Sequence, residues 1–223
     1  MLLFDLEESS MGLFKKVKTE YNAEKRNKMI NYEHLNKHYC KMGQTVLAGD
    51  SITEILNHTE LYADYTAKSG LAVYNRGISG DTSDRLLERI ESNVLNIQPS
   101  NIVLLIGTND FGYGVPMQDT IDNIEKILIM ISEKCSGANV ILQAVYPVNA
   151  KMNRYNKKKN AKIPELNAKI KTLAERHSVT FLDLTKELSD NAGDLKADYT
   201  YDGLHLNVFG FEKVTEKVIP LLK

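Results

Sequence analysis

The stretch TVLAGDSITEIL, residues 45–56, changes character halfway along. Thr45-Val46-Leu47-Ala48 is an apolar run of the kind a strand shows when both of its faces are covered. From Ser51 onward the stretch reads as a helix. Gly49 permits a tight turn between the two. A strand that hands over to a helix in this way predicts a βαβ unit, with Ser51 at the carboxyl edge of a parallel sheet. That edge is where open α/β sheets bind their ligands. Taken alone, Ser51 has two readings. It caps the helix, with Ser51-x-x-Glu54 as a capping box, or it is a nucleophile held at the accessible edge of the sheet.

The same alternation continues along the chain. Further strands are predicted over 72–74, 101–106, 139–145 and 179–182, the first of them weak. Helical spacing recurs between them. Leu86, Leu87, Ile90, Val94 and Leu95 lie on one face of a segment over 82–95, opened by Asp81 or Thr82 and closed before Pro99. Ile121, Ile124, Ile127, Leu128 and Ile131 mark a helix over 117–134, and Leu166, Ile170, Leu173 and Ala174 one over 161–177. A last helix spans 208–222. Strand and helix in this order predict an α/β protein: a three-layer α/β/α sandwich around a five-stranded parallel sheet with right-handed crossovers.

Residues 1–43 do not follow this pattern. Leu13, Phe14, Val17, Tyr21, Met29, Ile30, Tyr32, Leu35 and Tyr39 sit in a background rich in Lys, Glu and Asn. We read an N-terminal helical extension over 1–43, packed on the outside of the sandwich or against a second subunit as a homodimer contact. The remaining residues, 44–223, form one domain.

Composition narrows the function classes. Of the 223 residues, 26% are charged and 43% hydrophobic, an ordinary globular balance. The 28 Lys and Arg nearly cancel the 29 Asp and Glu, so the overall charge gives no reason to expect nucleic acid. A basic cluster at 154–159 is the local exception, read as a solvated loop or as an attractor for an anionic substrate. The two cysteines, Cys40 and Cys135, suggest neither a disulfide framework nor a zinc site. No run approaches the ~20 apolar residues that span a bilayer, and the N-terminus is not a signal peptide, so a cytoplasmic location without membrane insertion is expected.

Four loops at predicted strand ends hold the residues that can carry chemistry. Gly49-Asp50-Ser51 follows the first strand. Asn75-Arg76-Gly77-Ile78-Ser79-Gly80-Asp81 follows the second. In Gly107-Thr108-Asn109-Asp110, after the third, Asn109 offers an amide donor and Asp110 a turn-forming carboxylate. Asp202-Gly203-Leu204-His205 precedes the last helix and pairs an imidazole with an orienting carboxylate. Each loop alone has an ordinary structural explanation. Together they supply a nucleophile, a base, its orienter and oxyanion donors for acyl transfer.

In these four blocks the chain resembles the SGNH hydrolases, the branch of the GDSL esterase/lipase superfamily named for its Ser, Gly, Asn and His. The likeness runs from about Val46 to the C-terminus and does not cover residues 1–43. It implies a flavodoxin-like fold, no metal and no organic cofactor. It also implies a triad of Ser51, His205 and Asp202, with an oxyanion hole from the N–H of Ser51, the N–H of Gly77 and the side chain of Asn109. The activity it implies is serine esterase or acylhydrolase chemistry on a small-molecule ester: a small acyl ester, an acetylated carbohydrate or a lysophospholipid-like molecule. Asp50, Asp110, Tyr113 and Tyr146 are further candidates for contacting substrate, with Met152 and Tyr155 beside them. The alternative is a catalytically silent module that keeps the pocket for binding.

Overall fold

The structure, a computed structural model, describes residues 22–152 and 157–223. Helix α1 (Ala23–His38) comes first, followed by strand β1 (Thr45–Gly49) and three short helices, α2 (Ser51–Glu54), α3 (His58–Leu61) and α4 (Ala63–Ser69). Then come β2 (Val73–Gly77), α5 (Ser83–Asn93), β3 (Asn101–Leu105), α6 (Thr108–Tyr113), α7 (Met117–Lys134) and β4 (Asn139–Gln143). The chain ends with α8 (Lys157–Asn160), α9 (Ile163–Arg176), β5 (Thr180–Leu182), α10 (Thr185–Leu188) and α11 (Val208–Val218).

The five strands form one parallel sheet in the order β2-β1-β3-β4-β5. The strand order reverses between β1 and β3, and in a sheet of this kind the crevice beyond that reversal is the binding position. Side chains alternate between two cores. Val46, Ala48, Ile102, Leu104 and Leu142 pack under α5, α7 and α9. Leu47, Val103, Leu105 and Ile141 pack on the other face with Ile52, Leu56, Phe211 and Val214. Each fully buried aliphatic side chain contributes about 1.5–3 kcal/mol. With both faces covered, the strands read as continuous apolar runs rather than as an alternating pattern.

Strand β2 departs from that description and extends further than its sequence suggests. Asn75, Arg76 and Gly77, expected in a loop, pair with Leu47, Ala48 and Gly49 of β1. Tertiary partners make up for the weak propensity. Arg76 donates to Asn36 Oδ1 at 2.8 Å and lies over the rings of Tyr32 and Tyr74, 4.9 and 5.4 Å from their centroids.

Those partners include α1, which covers this edge of the sheet by polar contacts. Tyr32 Oη donates to the Gly77 carbonyl at 2.9 Å, and Asn36 Nδ2 to the carbonyls of Ser92 and Asn93. Asn93 in turn donates to the Met29 carbonyl at 3.1 Å. Asn36 is the buried residue of this helix, whereas Ile30, Leu35 and Tyr39 are exposed. The apolar residues named for residues 1–21 lie outside the described residues.

Arg89 of α5 fixes the carboxyl ends of the first two strands. The residue is 0% exposed. Its Nε donates to Asp81 Oδ2 at 2.7 Å, its Nη1 to the Arg76 carbonyl and its Nη2 to the Gly49 carbonyl, each at 2.9 Å. Beside it, β2 and α2 meet without room for a side chain. A Cβ on Gly77 would lie 2.3 Å from Glu54 N and 2.8 Å from the Asp50 carbonyl.

Replacing Arg89 by Met should cost about 3–5 kcal/mol in denaturant unfolding, because Asp81 is left buried without its cation. Gly77→Ala should cost about 1–3 kcal/mol from overpacking against a backbone that has to move. It should also lower activity, because the displaced backbone is that of α2.

Candidate active site

Ser51 stands at the first position of α2 and is 8% exposed. The capping role belongs to its neighbour. Asp50 is the N-cap, and its Oδ1 accepts from Ile52 N at 2.9 Å. The expected Ser51–Glu54 capping box does not form, since Glu54 bonds instead to Lys28 and, at 2.5 Å, to Ser79 N. The Ser51 hydroxyl is thereby left to the imidazole, with His205 Nε2 2.9 Å from Ser51 Oγ. On the other side of the ring, His205 Nδ1 lies 2.6 Å from Asp202 Oδ2.

The loop carrying Asp202 and His205 is set by its own hydrogen bonds. Asp202 Oδ1 accepts from the backbone N–H groups of Leu204 and His205 at 2.9 and 2.8 Å. Thr200 Oγ1 donates to the His205 carbonyl at 2.6 Å and accepts from Gly203 N. Asn149 N, from the loop after β4, donates to the Gly203 carbonyl at 2.7 Å. The Tyr201 ring stacks on the imidazole, 6.1 Å between centroids. Burial pushes the Asp202 carboxyl up, but the bonds from His205 and the two backbone N–H groups outweigh it and hold the group below the usual carboxylate range. Asp202 therefore presents a carboxylate to the imidazole at neutral pH.

Asn109 opens toward the same place from the end of β3. Its Nδ2 donates to the Asp81 carbonyl at 3.0 Å and, more weakly, to Asp50 Oδ2 at 3.3 Å. The N–H of Gly77 is not turned to substrate, because it donates to Asn75 Oδ1 at 2.9 Å within β2. Gly80, three residues on, holds a left-handed φ of +73° in a turn closed by Asp81 N and the Ile78 carbonyl. Its N–H has no acceptor among the described residues.

Three of the expected substrate contacts are interior groups. Asp50 is 0% exposed. Asp110 is buried and accepts from Ser83 N, Ser83 Oγ and Thr120 Oγ1, so it caps α5 across the fold. Tyr146 is buried in the second core, with its hydroxyl on Gln143 Oε1 at 2.5 Å. Tyr113, 50% exposed, does stand at the rim, and Met152 packs beside Gly203. Tyr155 and most of the basic cluster lie outside the described residues or have side chains not described. Lys159 is half-buried; burial lowers its pKa against the pull of Asp50 and Asp202, which places it on the site's side of the molecule.

The supports missed from sequence are Thr200, Asn149, Ser83, Thr120 and Arg89. Arg89 alone left a sequence signal: a charge at helical spacing on the face that carries Leu86 and Ile90. Among the described residues, no group of three His, Cys, Asp or Glu is placed to hold a metal ion, and no helix is long and apolar enough to cross a membrane. A cavity of about 450 Å³ lies toward β5, lined by residues such as Pro147, Asn167 and Phe181, and includes none of the triad.

Comparison with known proteins identifies the family of the chain. Residues 47–213 match the model of the GDSL-like lipase/acylhydrolase family. The chain belongs to that family, within the SGNH hydrolases, and is a hydrolase acting on ester bonds. It is 27% identical over 183 residues to the alpha1 subunit of platelet-activating factor acetylhydrolase IB from Bos taurus, covering 82% of this chain and 76% of that one. A GDSL-like lipase of known structure from Bacteroides thetaiotaomicron superposes with a TM-score of 0.73 at 25% identity, covering 87% of this chain and 98% of that one. A solved structure from Streptococcus pneumonia gives a TM-score of 0.80 at 30% identity over 90% and 93% of the two chains.

Burial raises the Asp50 pKa to about 7. The folded protein therefore keeps a proton that the unfolded chain releases from about pH 4 upward, and Asp50 removes stability as pH rises through that interval. Asp50→Asn should shrink the drop in Tm between pH 5 and pH 8.

Proposed function

We propose that this chain is a serine esterase that cleaves a small, soluble carboxylic ester through an acyl-enzyme. The observation that carries this reading is the unbroken relay from Ser51 Oγ to His205 Nε2 to Asp202, with separations of 2.9 and 2.6 Å. The imidazole donates its Nδ1 proton to Asp202, which leaves Nε2 to accept the proton of Ser51 as Oγ attacks the ester carbonyl. The resulting imidazolium protonates the departing alkoxide. A water then gives its proton to Nε2, attacks the acyl carbonyl and releases the acid with Ser51 restored.

The tetrahedral oxyanion needs donors on the Ser51 side of the crevice. The Ser51 N–H and the Asn109 amide fill this role, and the oxyanion takes over the longer Asn109 bond, the one to Asp50. We place the third donor at Gly80 rather than Gly77, because the Gly77 N–H is already bonded to Asn75. A short acyl group is supported by the bovine relative, which is named for acetyl hydrolysis. The alternative of a silent binding module leaves the joint placement of nucleophile, base and orienter without a purpose.

Ser51→Ala should abolish hydrolysis of p-nitrophenyl acetate and labelling by a fluorophosphonate, with Tm nearly unchanged because Asp50 carries the cap. Retained hydrolysis in this variant would sink the proposal. Asn109→Ala should lower kcat about 100- to 1000-fold with a smaller change in KM.

A further inference from the structure

Three buried carboxyl groups gather around Asn109. Asp50, Asp81 and Asp110 are 0%, 0% and 1% exposed, and the charges of Asp81 and Asp110 both act on Asp50. They differ in what stabilises them. Asp110 accepts three hydrogen bonds, from Ser83 N, Ser83 Oγ and Thr120 Oγ1. Asp81 pairs with the Arg89 guanidinium at 2.7 Å. Asp50 receives the Ile52 N–H at 2.9 Å and the Asn109 amide at 3.3 Å, beside its own N–H. It forms no ion pair among the described residues. A buried carboxylate needs several good donors or a cation, so Asp50 is the member of the cluster that keeps a proton most readily.

The other groups that face Asp50 leave this order intact. Lys159 of α8 attracts its charge but forms no ion pair with it. Tyr146, from the loop after β4, is a neutral phenol whose own pKa burial pushes up. Arg89 reaches the neighbouring Gly49 carbonyl, but its charge is engaged by Asp81. Burial outweighs the cap bond and raises the Asp50 pKa to about 7.

The Asn109 amide carries two protons, and both are committed. One goes to the Asp81 carbonyl at 3.0 Å and the other to Asp50 Oδ2 at 3.3 Å. The oxyanion takes the second of these, at ~3 Å from Nδ2, which leaves it at most about 6 Å from Asp50 Oδ2. An ionised Asp50 would oppose that exchange twice. It would hold the amide by a charge-assisted bond, and it would repel the developing charge where little water screens it. A neutral Asp50 holds the amide loosely and gives it up.

We propose that Asp50 is the positioning residue of the oxyanion amide: as a neutral acid it aims Asn109 and yields it to the oxyanion, and its ionisation slows the reaction. This rests on the esterase reading. The proton comes from solvent and stays on the Asp50 carboxyl through turnover, so proton transfer to and from the ester remains with His205. The neutral form is the active one, and its fraction falls about tenfold for each pH unit above the Asp50 pKa. Activity is therefore lost as pH rises, in a range where a triad alone keeps its base.

The test is the pH dependence of p-nitrophenyl acetate hydrolysis by wild type, Asp50→Asn and Asp50→Ser, each measured below its Tm at every pH. Both substitutes cap a helix and neither ionises. The wild-type kcat/KM should fall above about pH 7, by about tenfold per pH unit, as a single ionisation requires. In both variants that alkaline fall should vanish. At about pH 6.5 the variants should lose about tenfold in kcat with KM within about twofold, because the Asn109 amide loses its aim. A role confined to capping would lower Tm and leave the shape of the profile unchanged. An alkaline fall that persists in both variants, or that the wild type lacks, overturns the proposal. If the wild type cleaves no ester, the esterase reading fails separately, and binding of phenylboronic acid decides. An affinity that declines more steeply above about pH 7 in wild type than in Asp50→Asn supports the role of Asp50. Equal pH dependence or absent binding overturns it.

Discussion

The Arg89 guanidinium is the constraint on which the crevice depends. Both nitrogens of its fork donate to backbone carbonyls, one at the end of β1 and one near the end of β2, while Nε holds the Asp81 carboxylate. The loops leaving those two strands carry Ser51 and Gly80. A single buried cation therefore ties the loop that carries Ser51 to the turn at Gly80. Planar geometry is what makes this work, since an ammonium has no fork with which to span two strand ends.

Around that fixed point, polar residues divide into those that hold the backbone and those that remain available. Asp50 caps α2, Asp110 caps α5 from another element, and Asn75 occupies the Gly77 N–H. Each spares a neighbour: Asp50 spares the Ser51 hydroxyl, and Asn75 leaves the next free amide to Gly80. The loop of residues 202–205 repeats the arrangement, where Asp202 uses one carboxylate oxygen to fold its own turn and the other to orient His205. Such sites are precise because local folding and positioning are performed by the same atoms.

How much of this was legible in the sequence follows from where the interactions lie. The helix over residues 117–134 has the bounds expected from its isoleucine spacing, because burial of one face decides such a helix locally. The four strands with apolar runs were readable for the same reason. Strand β2 was legible only in part, since Asn75 and Arg76 owe their extended conformation to β1 and α1, distant in sequence. Ser51, Asp202 and His205 could be singled out from two short blocks, but not their supports: Thr200 and Asn149 act through contacts that no spacing encodes, and the helical spacing that puts Arg89 on the apolar face of α5 does not name its partners. Ser51 illustrates the limit well. Its sequence context fits a cap, yet an adjacent carboxylate takes that role once the turn is formed.

Helix α1 is attached to the domain mainly through Tyr32, Asn36 and Asn93 rather than through a buried apolar face. Hydrogen bonds at a half-exposed seam open more readily than a packed core, so α1 has the character of a separate cooperative unit with a lower opening free energy than the sandwich. Each opening exposes the polar edge of β2 while leaving Arg89 and the strand ends in place. The helix and the crevice then fluctuate on different scales, and amide protons of residues 23–38 exchange through events that those of β1 and β3 do not share.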